Sequence, residues 1–271
     1  MKESPDRILA RRLEAVEAVA GLWCHEALLR LRPGAPSAVE RVAGGVIAYA
    51  GAGSPLTRGR GLGMEGPVTA EEVDRLEDFF RSRGVLASLG VSPYADPTLI
   101  EQLGRRGFVL EEFDHVLVRP LSGAERPSPL PEGVCVSRAE PADAEAWSRV
   151  VGQGFSGEEE VSPGAMDAGL MLFHEPRAAC FWAHVDGRPA GGGAMAFHDG
   201  LASLFATSTR PEFRGRGVQR ALIEARLAHA AASGCELASV VTAPGSASYR
   251  NMERAGFRVV YTRVVLTKRW D

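Results

Sequence analysis

Residues 201–232 restrict the possible folds of this chain more than any other stretch, because they combine a strand, a glycine loop and a long helix. Residues 201–209, LASLFATST, are apolar and β-branched enough to pair within a sheet. Pro211 ends that strand, since proline has no N–H for the ladder and restricts Arg210 before it. The stretch therefore predicts a strand that runs through a loop into a helix.

The helix after the loop has an amphipathic pattern. Glu224 and Arg226 fall on one side of it. The apolar side is predicted to hold Ala221, Leu222, Ala225, Leu227 and Ala228.

The loop itself reads Arg214-Gly215-Arg216-Gly217-Val218-Gln219. The first amides of a helix have no intrahelical partner and carry partial positive charge, and glycines allow an anion to approach closely. Arginines add charge-assisted bonds to phosphate. We therefore predict a pyrophosphate site made by the amides from about Arg214 to Gln219, with a simple helix entry turn as the alternative.

Two familiar phosphate loops do not fit. No Gly-Lys-Ser/Thr ends the loop, which excludes the nucleotide-triphosphate motif. Arg220 stands where the dinucleotide fingerprint has its third glycine, and the strand comes late in the chain.

The loop resembles the acyl-CoA-binding motif of the GNAT acyltransferase superfamily, Arg-x-x-Gly-x-(Gly/Ala) after a strand. Arg214 and Gly217 match that motif, whereas Gln219 stands where glycine or alanine is usual. Residues 240–257, VVTAPGSASYRNMERAGF, resemble the second signature of the superfamily, a strand and a short helix ending in Gly-Phe. The resemblance covers residues 134–270.

The resemblance implies direct transfer of an acetyl group from acetyl-CoA to an amine in a ternary complex, with no metal. It also implies that amides of strand residues 204–208 hold the pantetheine arm and polarise the thioester carbonyl. The implied cofactor-binding residues are Phe205, Ala206, Thr207, Arg214, Gly215, Arg216, Gly217, Val218, Gln219, Ser246 and Asn251. For Ser246, helix capping is the alternative role.

The catalytic acid is where the sequence departs from the superfamily. Many relatives place a tyrosine four residues before the glycine of Gly-Phe, and Met252 occupies that position here. Tyr249, about one helical turn earlier, is the candidate acid, with packing or a cofactor contact as alternatives. The possible bases are His174, Glu175 and His198.

The N-terminal half repeats part of this pattern. Residues 92–120 parallel residues 242–269 as loop, short helix, Gly-Phe and final strand. Residues 58–63 have a composition similar to that of the later loop. The next helix begins only near Thr69, which is predicted as its N-cap with Glu72 three residues on, so we interpret these glycines as a turn or strand. The first half thus resembles a GNAT domain that has lost cofactor binding.

Together these patterns predict an α/β (α+β) fold with two tandem GNAT-like domains, each a mixed, mostly antiparallel sheet flanked by helices. We place a degenerate domain at 1–120, a linker rich in proline at 121–132 and the acetyltransferase domain at 133–271. A single strand is predicted over 42–50.

Composition sets further limits. The 271 residues have a net charge of −3, which argues against a nucleic-acid partner, and no apolar run is long enough to span a membrane. The four cysteines have no metal-ligand spacing. We expect a cytoplasmic monomer or homodimer.

Two functions from different classes remain open. The first is an N-acetyltransferase acting on a primary amine of a small molecule. The second is a non-catalytic acyl-CoA-binding sensor or scaffold, suggested by Met252 and by the degenerate first half. The acidic run Glu158, Glu159 and Glu160 is either a solvated loop or a substrate-side lid that attracts an amine.

Overall fold

The fold is that of a computed structural model, which describes residues 4–123, 125 and 129–270. Residues 124 and 126–128 of the predicted linker lie outside the described residues. The helices are α1 (Pro5–Leu31), α2 (Ala70–Arg81), α3 (Pro97–Arg105), α4 (Ala144–Ser156), α5 (Pro163–Leu170), α6 (Val218–Ala232) and α7 (Ala247–Arg254). The strands are β1 (Ala38–Val42), β2 (Gly45–Tyr49), β3 (Arg58–Arg60), β4 (Ala87–Val91), β5 (Val109–Pro120), β6 (Val134–Arg138), β7 (Ala178–Val185), β8 (Arg188–His198), β9 (Leu201–Thr209), β10 (Leu237–Thr242) and β11 (Arg258–Lys268).

The chain divides into two compact units that are not contiguous in sequence. Unit 1 contains the residues up to 116, together with 242–244 and those from 259 onward. Unit 2 contains residues 117–241 and 245–258. The last strand, β11, therefore belongs to unit 1 along almost its whole length. The domain linker at 121–132 stays a prediction.

Unit 1 is built on a mixed sheet with the strand order β1-β2-β3-β4-β11-β5. Neighbours β4 and β11 are antiparallel, with Leu266 opposite Leu89. The single strand predicted over 42–50 is wrong, because the chain turns at Ala43 and Gly44, both at positive φ, and makes the hairpin of β1 and β2. Alanine seldom adopts the left-handed conformation, so the Ala-Gly pair is only a weak turn signal within an otherwise apolar run.

The core of unit 1 is formed by the apolar side of α2 and the buried strands. Val73, Leu76 and Phe80 of α2 are fully buried against Leu89 and Val91 of β4. Thr69 caps α2 as predicted, since its hydroxyl accepts from the Glu72 amide while the Glu72 carboxylate accepts from the Thr69 amide.

Unit 2 has the sheet order β10-β9-β8-β7-β6, in which β9 and β10 are parallel and the other pairs antiparallel. This mixed sheet between helices confirms the predicted fold class. Helices α4 and α6 cover opposite faces, because a Cβ at Gly192 of β8 would meet Trp147 of α4, whereas one at the next residue, Gly193, would meet Arg226 of α6.

The buried face of α6 differs from the predicted one at three positions, because Ala225 and Ala228 are only partly buried and Arg226 is buried. Ala221, Leu222 and Leu227 are buried as predicted, but Arg226 is buried too, with no exposed surface. It lies one turn after Leu222 on the same side of the helix, and its Nε donates to the Leu222 carbonyl oxygen at 3.0 Å. The prediction that Arg226 belongs to the other side is therefore wrong.

Within the part of the chain that the structure describes, no helix has both the length and the apolar character needed to cross a membrane.

Candidate active site

A β-bulge interrupts the middle of β9. Gly192 of β8 lies opposite Ser208, and Ala194 opposite Phe205, so Gly193 alone faces the two residues Ala206 and Thr207. Ala206 has φ of 47°, a left-handed conformation that is unusual for a residue with a side chain. The extra residue bends β9 and takes its backbone out of regular pairing at this point.

The bulge comes where β9 stops pairing with β10 on its other side. The parallel register runs from Leu237 opposite Leu201 to Val240 opposite Leu204 and goes no further, although both strands continue. Phe205, the next residue of β9, is partly exposed. The sheet thus opens between β9 and β10 at the strand segment where the sequence placed the thioester.

Helix α6 follows β9 after a 3-10 turn at Pro211–Phe213 and the glycine loop, and it begins without a side-chain cap. Gly217 is the N-cap residue, with φ of 80° and no side-chain hydrogen bond, and Gly215 has φ of 78°. The first helical bond joins the Ala221 amide to the Gly217 carbonyl, so the amides of residues 218–220 have no intrahelical acceptor. An exposed glycine loop and a positively polarised helix end therefore lie together.

The arginines of the loop make contacts within the protein. The Arg214 guanidinium donates to the carbonyl oxygens of Thr209 at 3.3 Å and Gly154 at 3.1 Å, and its amide donates to Pro211. Arg216 forms an ion pair with Asp186 at 3.1 Å, and both side chains are largely exposed. Arg214 thus fastens the loop to the end of α4, while the Arg216 pair is exposed enough to exchange for a stronger anion.

Gly217 is required by space as well as by backbone angle. A Cβ there would lie 2.6 Å from Cγ of Pro131, which is closer than two carbons can approach. A Cβ at Gly215 would meet nothing within 4 Å. A side chain at Gly217 would therefore collide with Pro131, whereas one at Gly215 would strain the backbone angle alone.

Helix α7 carries the other predicted site residues. The Ser246 hydroxyl accepts from the Tyr249 amide at 3.0 Å and caps the helix, and the Asn251 side-chain oxygen accepts from Arg254 at 3.2 Å. The Tyr249 hydroxyl donates to Glu253 at 2.6 Å, which raises the pKa of the phenol. Met252 is buried in the core of unit 2.

The possible bases have defined neighbours. Glu175 is buried, and its Oε1 accepts from both the amide and the guanidinium of Arg177 at 3.0 Å. His198 Nε2 lies 3.3 Å from Asp199 Oδ2. His174 ends a short 3-10 turn that precedes Glu175.

The acidic residues 158–160 follow α4 and are exposed. The Gln153 side chain donates to the Glu159 carbonyl at 2.9 Å and ties this loop to the helix. In the described ranges, no cluster of three or more His, Cys, Asp or Glu side chains could hold a metal ion.

Residues 145–257, which include the bulged strand, the glycine loop and α7, match the model of the acetyltransferase (GNAT) family. This segment is a GNAT domain. No curated protein sequence matches the chain significantly.

Solved structures extend the likeness to the N-terminal half. A GCN5-related N-acetyltransferase from Kribbella flavida superposes with a TM-score of 0.67 at 19% identity, covering 95% of this chain and 96% of that one. A tandem GNAT protein from the clavulanic acid biosynthesis pathway gives 0.63 at 17% identity, covering 95% and 92%. A GCN5-related N-acetyltransferase from Sphaerobacter thermophilus gives 0.61 at 16% identity, covering 86% and 75%. The predicted tandem GNAT arrangement is thereby confirmed at the level of the fold.

Sequence reasoning missed one residue of the site region, the buried Arg226. A signal was present in the three successive glycines 191–193 of β8. A Cβ at Gly193 would lie 3.0 Å from Arg226 Cζ, so the strand carries no side chain where the guanidinium lies.

Proposed function

We propose that this protein is an N-acetyltransferase that transfers an acetyl group from acetyl-CoA directly to a primary amine of a small molecule. The observation that carries the proposal is the opening between β9 and β10 at the bulge, together with the uncapped start of α6, the next α-helix along the chain. In this interpretation the amides of residues 215–219 bind the pyrophosphate, whereas the Arg214 amide, included in the predicted range, donates to the Pro211 carbonyl. The strand residues Phe205, Ala206 and Thr207 line the thioester end.

The N-termini of α2 and α6 differ in a way that supports a single cofactor site, in unit 2. The amide of Glu72 at the start of α2 is occupied by the Thr69 hydroxyl, and the Thr69 amide by Glu72. Helix α6 has a left-handed glycine in place of such a side chain. Only the second helix start offers its first amides to an anion.

One observation favours the alternative, a non-catalytic acyl-CoA-binding sensor. The side chain at the superfamily's acid position, Met252, has no ionisable group and is buried, and the nearby Tyr249 hydroxyl donates to a carboxylate. A raised phenol pKa makes Tyr249 a weaker proton donor to the leaving thiolate.

Two measurements separate these functions. Thermal unfolding with and without acetyl-CoA tests binding, because a ligand of the folded state raises its stability. Release of CoA thiol in the presence of a panel of primary amines tests transfer. A stability increase with amine-dependent thiol release supports the enzyme, a stability increase without release supports the sensor, and no stability increase contradicts both.

A further inference from the structure

Arg226 is a buried cation that forms no ion pair with the described residues. Its side chain has no exposed surface, and loss of water is the one influence on its pKa, with no described charge acting on it. Burial lowers its pKa to about 9. Burying a guanidinium without a counter-charge costs folding free energy. The contacts of Arg226 should therefore show what its burial achieves.

The contacts of Arg226 converge on the bulge of β9. Its Nη1 donates to the carbonyl oxygens of Ala194 at 2.9 Å and Phe205 at 3.3 Å, which flank the bulge on β8 and β9. Its Nη2 has no hydrogen-bond partner among the described residues. The guanidinium thus lies against the bulge at Gly193, the residue opposite Ala206 and Thr207.

The bond to Phe205 fixes the direction of one amide. The peptide between Phe205 and Ala206 is trans, so its N–H points away from its C=O. Because that carbonyl points toward the guanidinium, the Ala206 N–H points away from it. A positive charge on the carbonyl side also polarises the peptide and strengthens its N–H as a donor.

We infer that Arg226 is a positioning residue for acyl transfer, which holds the Phe205–Ala206 peptide so that the Ala206 N–H donates to the thioester carbonyl oxygen of acetyl-CoA. The inference rests on the proposed function. In the reaction the neutral amine attacks the carbonyl carbon, a C–N bond forms, and the carbonyl oxygen becomes an oxyanion that accepts the Ala206 hydrogen bond. The C–S bond then breaks, the sulfur leaves as CoA thiolate and takes up a proton, and the amine nitrogen gives up its proton to water or a base.

Carbonyl polarisation can be measured without knowing the acceptor amine. The probe is acetyl-CoA with ¹³C at the acetyl carbonyl, and the readout is the infrared C=O stretch of the bound thioester relative to the same compound in buffer. We expect the wild-type protein to lower this frequency. Arg226→Met should lose at least about half of that shift while its dissociation constant for acetyl-CoA changes less than about threefold, because the pyrophosphate contacts are untouched.

Matched variants keep the test decisive. Arg149→Met removes an exposed arginine of α4 that pairs with Glu145 on the helix surface, and it should preserve the full frequency shift. Gly193→Ala places a methyl group 3.0 Å from Cζ and should reduce the shift by displacing the guanidinium, even if Arg226→Met fails to fold. Arg226→Lys keeps the positive charge but loses the planar, forked donors of the guanidinium, and it should retain only part of the C=O frequency shift.

A second readout identifies the amide. The ¹H–¹⁵N signal of Ala206 should move downfield with acetyl-CoA but not with CoA, which lacks the acetyl carbonyl, and this difference should shrink in Arg226→Met. An unchanged carbonyl shift in a folded Arg226→Met or Gly193→Ala protein that binds acetyl-CoA would overturn the inference. Failure of the wild-type protein to bind acetyl-CoA would instead overturn the proposed function.

Discussion

The hydroxyl of Tyr261 donates to Oε1 of Glu14 at 2.8 Å, in a buried hydrogen bond between the last strand and the first helix of unit 1. Arg263, also on β11, lies in the same cluster, with Nε 3.3 Å from Asp114, Nη2 3.4 Å from Glu17 and Nη1 3.8 Å from Glu14. Burial lowers the pKa of Arg263, but these carboxylates more than offset it, so the pKa is raised. The cluster fixes β11 within unit 1.

Removing the central cation should strongly destabilise the protein. Arg263→Met leaves the buried Glu14 without its guanidinium and leaves Asp114 with its longer contact to Arg58 at 3.6 Å. We expect a loss of about 3–5 kcal/mol in the free energy of unfolding. Tyr261→Phe removes only one donor and should cost about 1–3 kcal/mol. Urea denaturation measures both, and equal losses in the two variants would contradict a role for the charge.

The pH dependence of stability should depend on Glu14. Burial raises its pKa above 4.5, although Arg263 and the Tyr261 hydroxyl oppose this. The folded protein then holds the proton more tightly than the unfolded chain, so this contribution to stability is lost as pH rises from about 4.5 through the folded pKa. Glu14→Gln should remove that loss, so its stability relative to wild type should increase with pH, and a constant difference across this range would contradict the prediction.

The two glycines of the loop should differ in their tolerance of alanine. Gly215→Ala should cost about 1–2 kcal/mol, the price of a left-handed alanine. Gly217→Ala should cost about 1–3 kcal/mol more, because its Cβ meets Pro131. Pro131→Ala should recover part of that difference in a double-mutant cycle, and additive effects would show that the contact with Pro131 is unimportant.

Tyr249 should titrate above an ordinary tyrosine because it donates to Glu253. Replacing the acceptor by Glu253→Gln removes the carboxylate that stabilises the neutral phenol, and the Tyr249 pKa should fall. Titration of ¹³Cζ-labelled tyrosine by NMR measures this, with Tyr249→Phe to assign the signal. If Tyr249 protonates the thiolate, Tyr249→Phe lowers kcat with little change in KM, whereas a cofactor contact would raise KM.

Local signals in the sequence predicted much of this fold. Thr69 with Glu72 marked a helix start, and Pro211 with the glycines after it marked the change from β9 to α6. Such features are local, since they depend on neighbours three or four residues away.

Contacts between distant residues could not be predicted in this way. The burial of Arg226 depends on a strand that begins nearly 40 residues earlier, and the Tyr261–Glu14 bond joins residues 247 apart. The contact between Gly217 and Pro131 likewise needs the folded chain. A prediction from hydrophobic spacing places arginine on the exposed side of a helix. Arg226 is buried instead, because Gly193 has no side chain where its guanidinium lies.

The central claim is that the loop amides before α6 bind the pyrophosphate of acetyl-CoA, and a matched pair at Gly215 tests it most directly. Asn and Asp have nearly the same shape, both tolerate the left-handed conformation better than other side chains, and a Cβ at this position meets nothing within 4 Å. The two variants therefore differ mainly in one negative charge beside the proposed phosphate site.

Isothermal titration of acetyl-CoA into both variants, after circular dichroism confirms equal folding, gives the decisive comparison. We predict that Gly215→Asn binds within a few-fold of wild type, while Gly215→Asp binds at least about tenfold more weakly than Gly215→Asn, with the gap narrowing at high salt. Equal affinities of the Asp and Asn variants for acetyl-CoA would contradict this account.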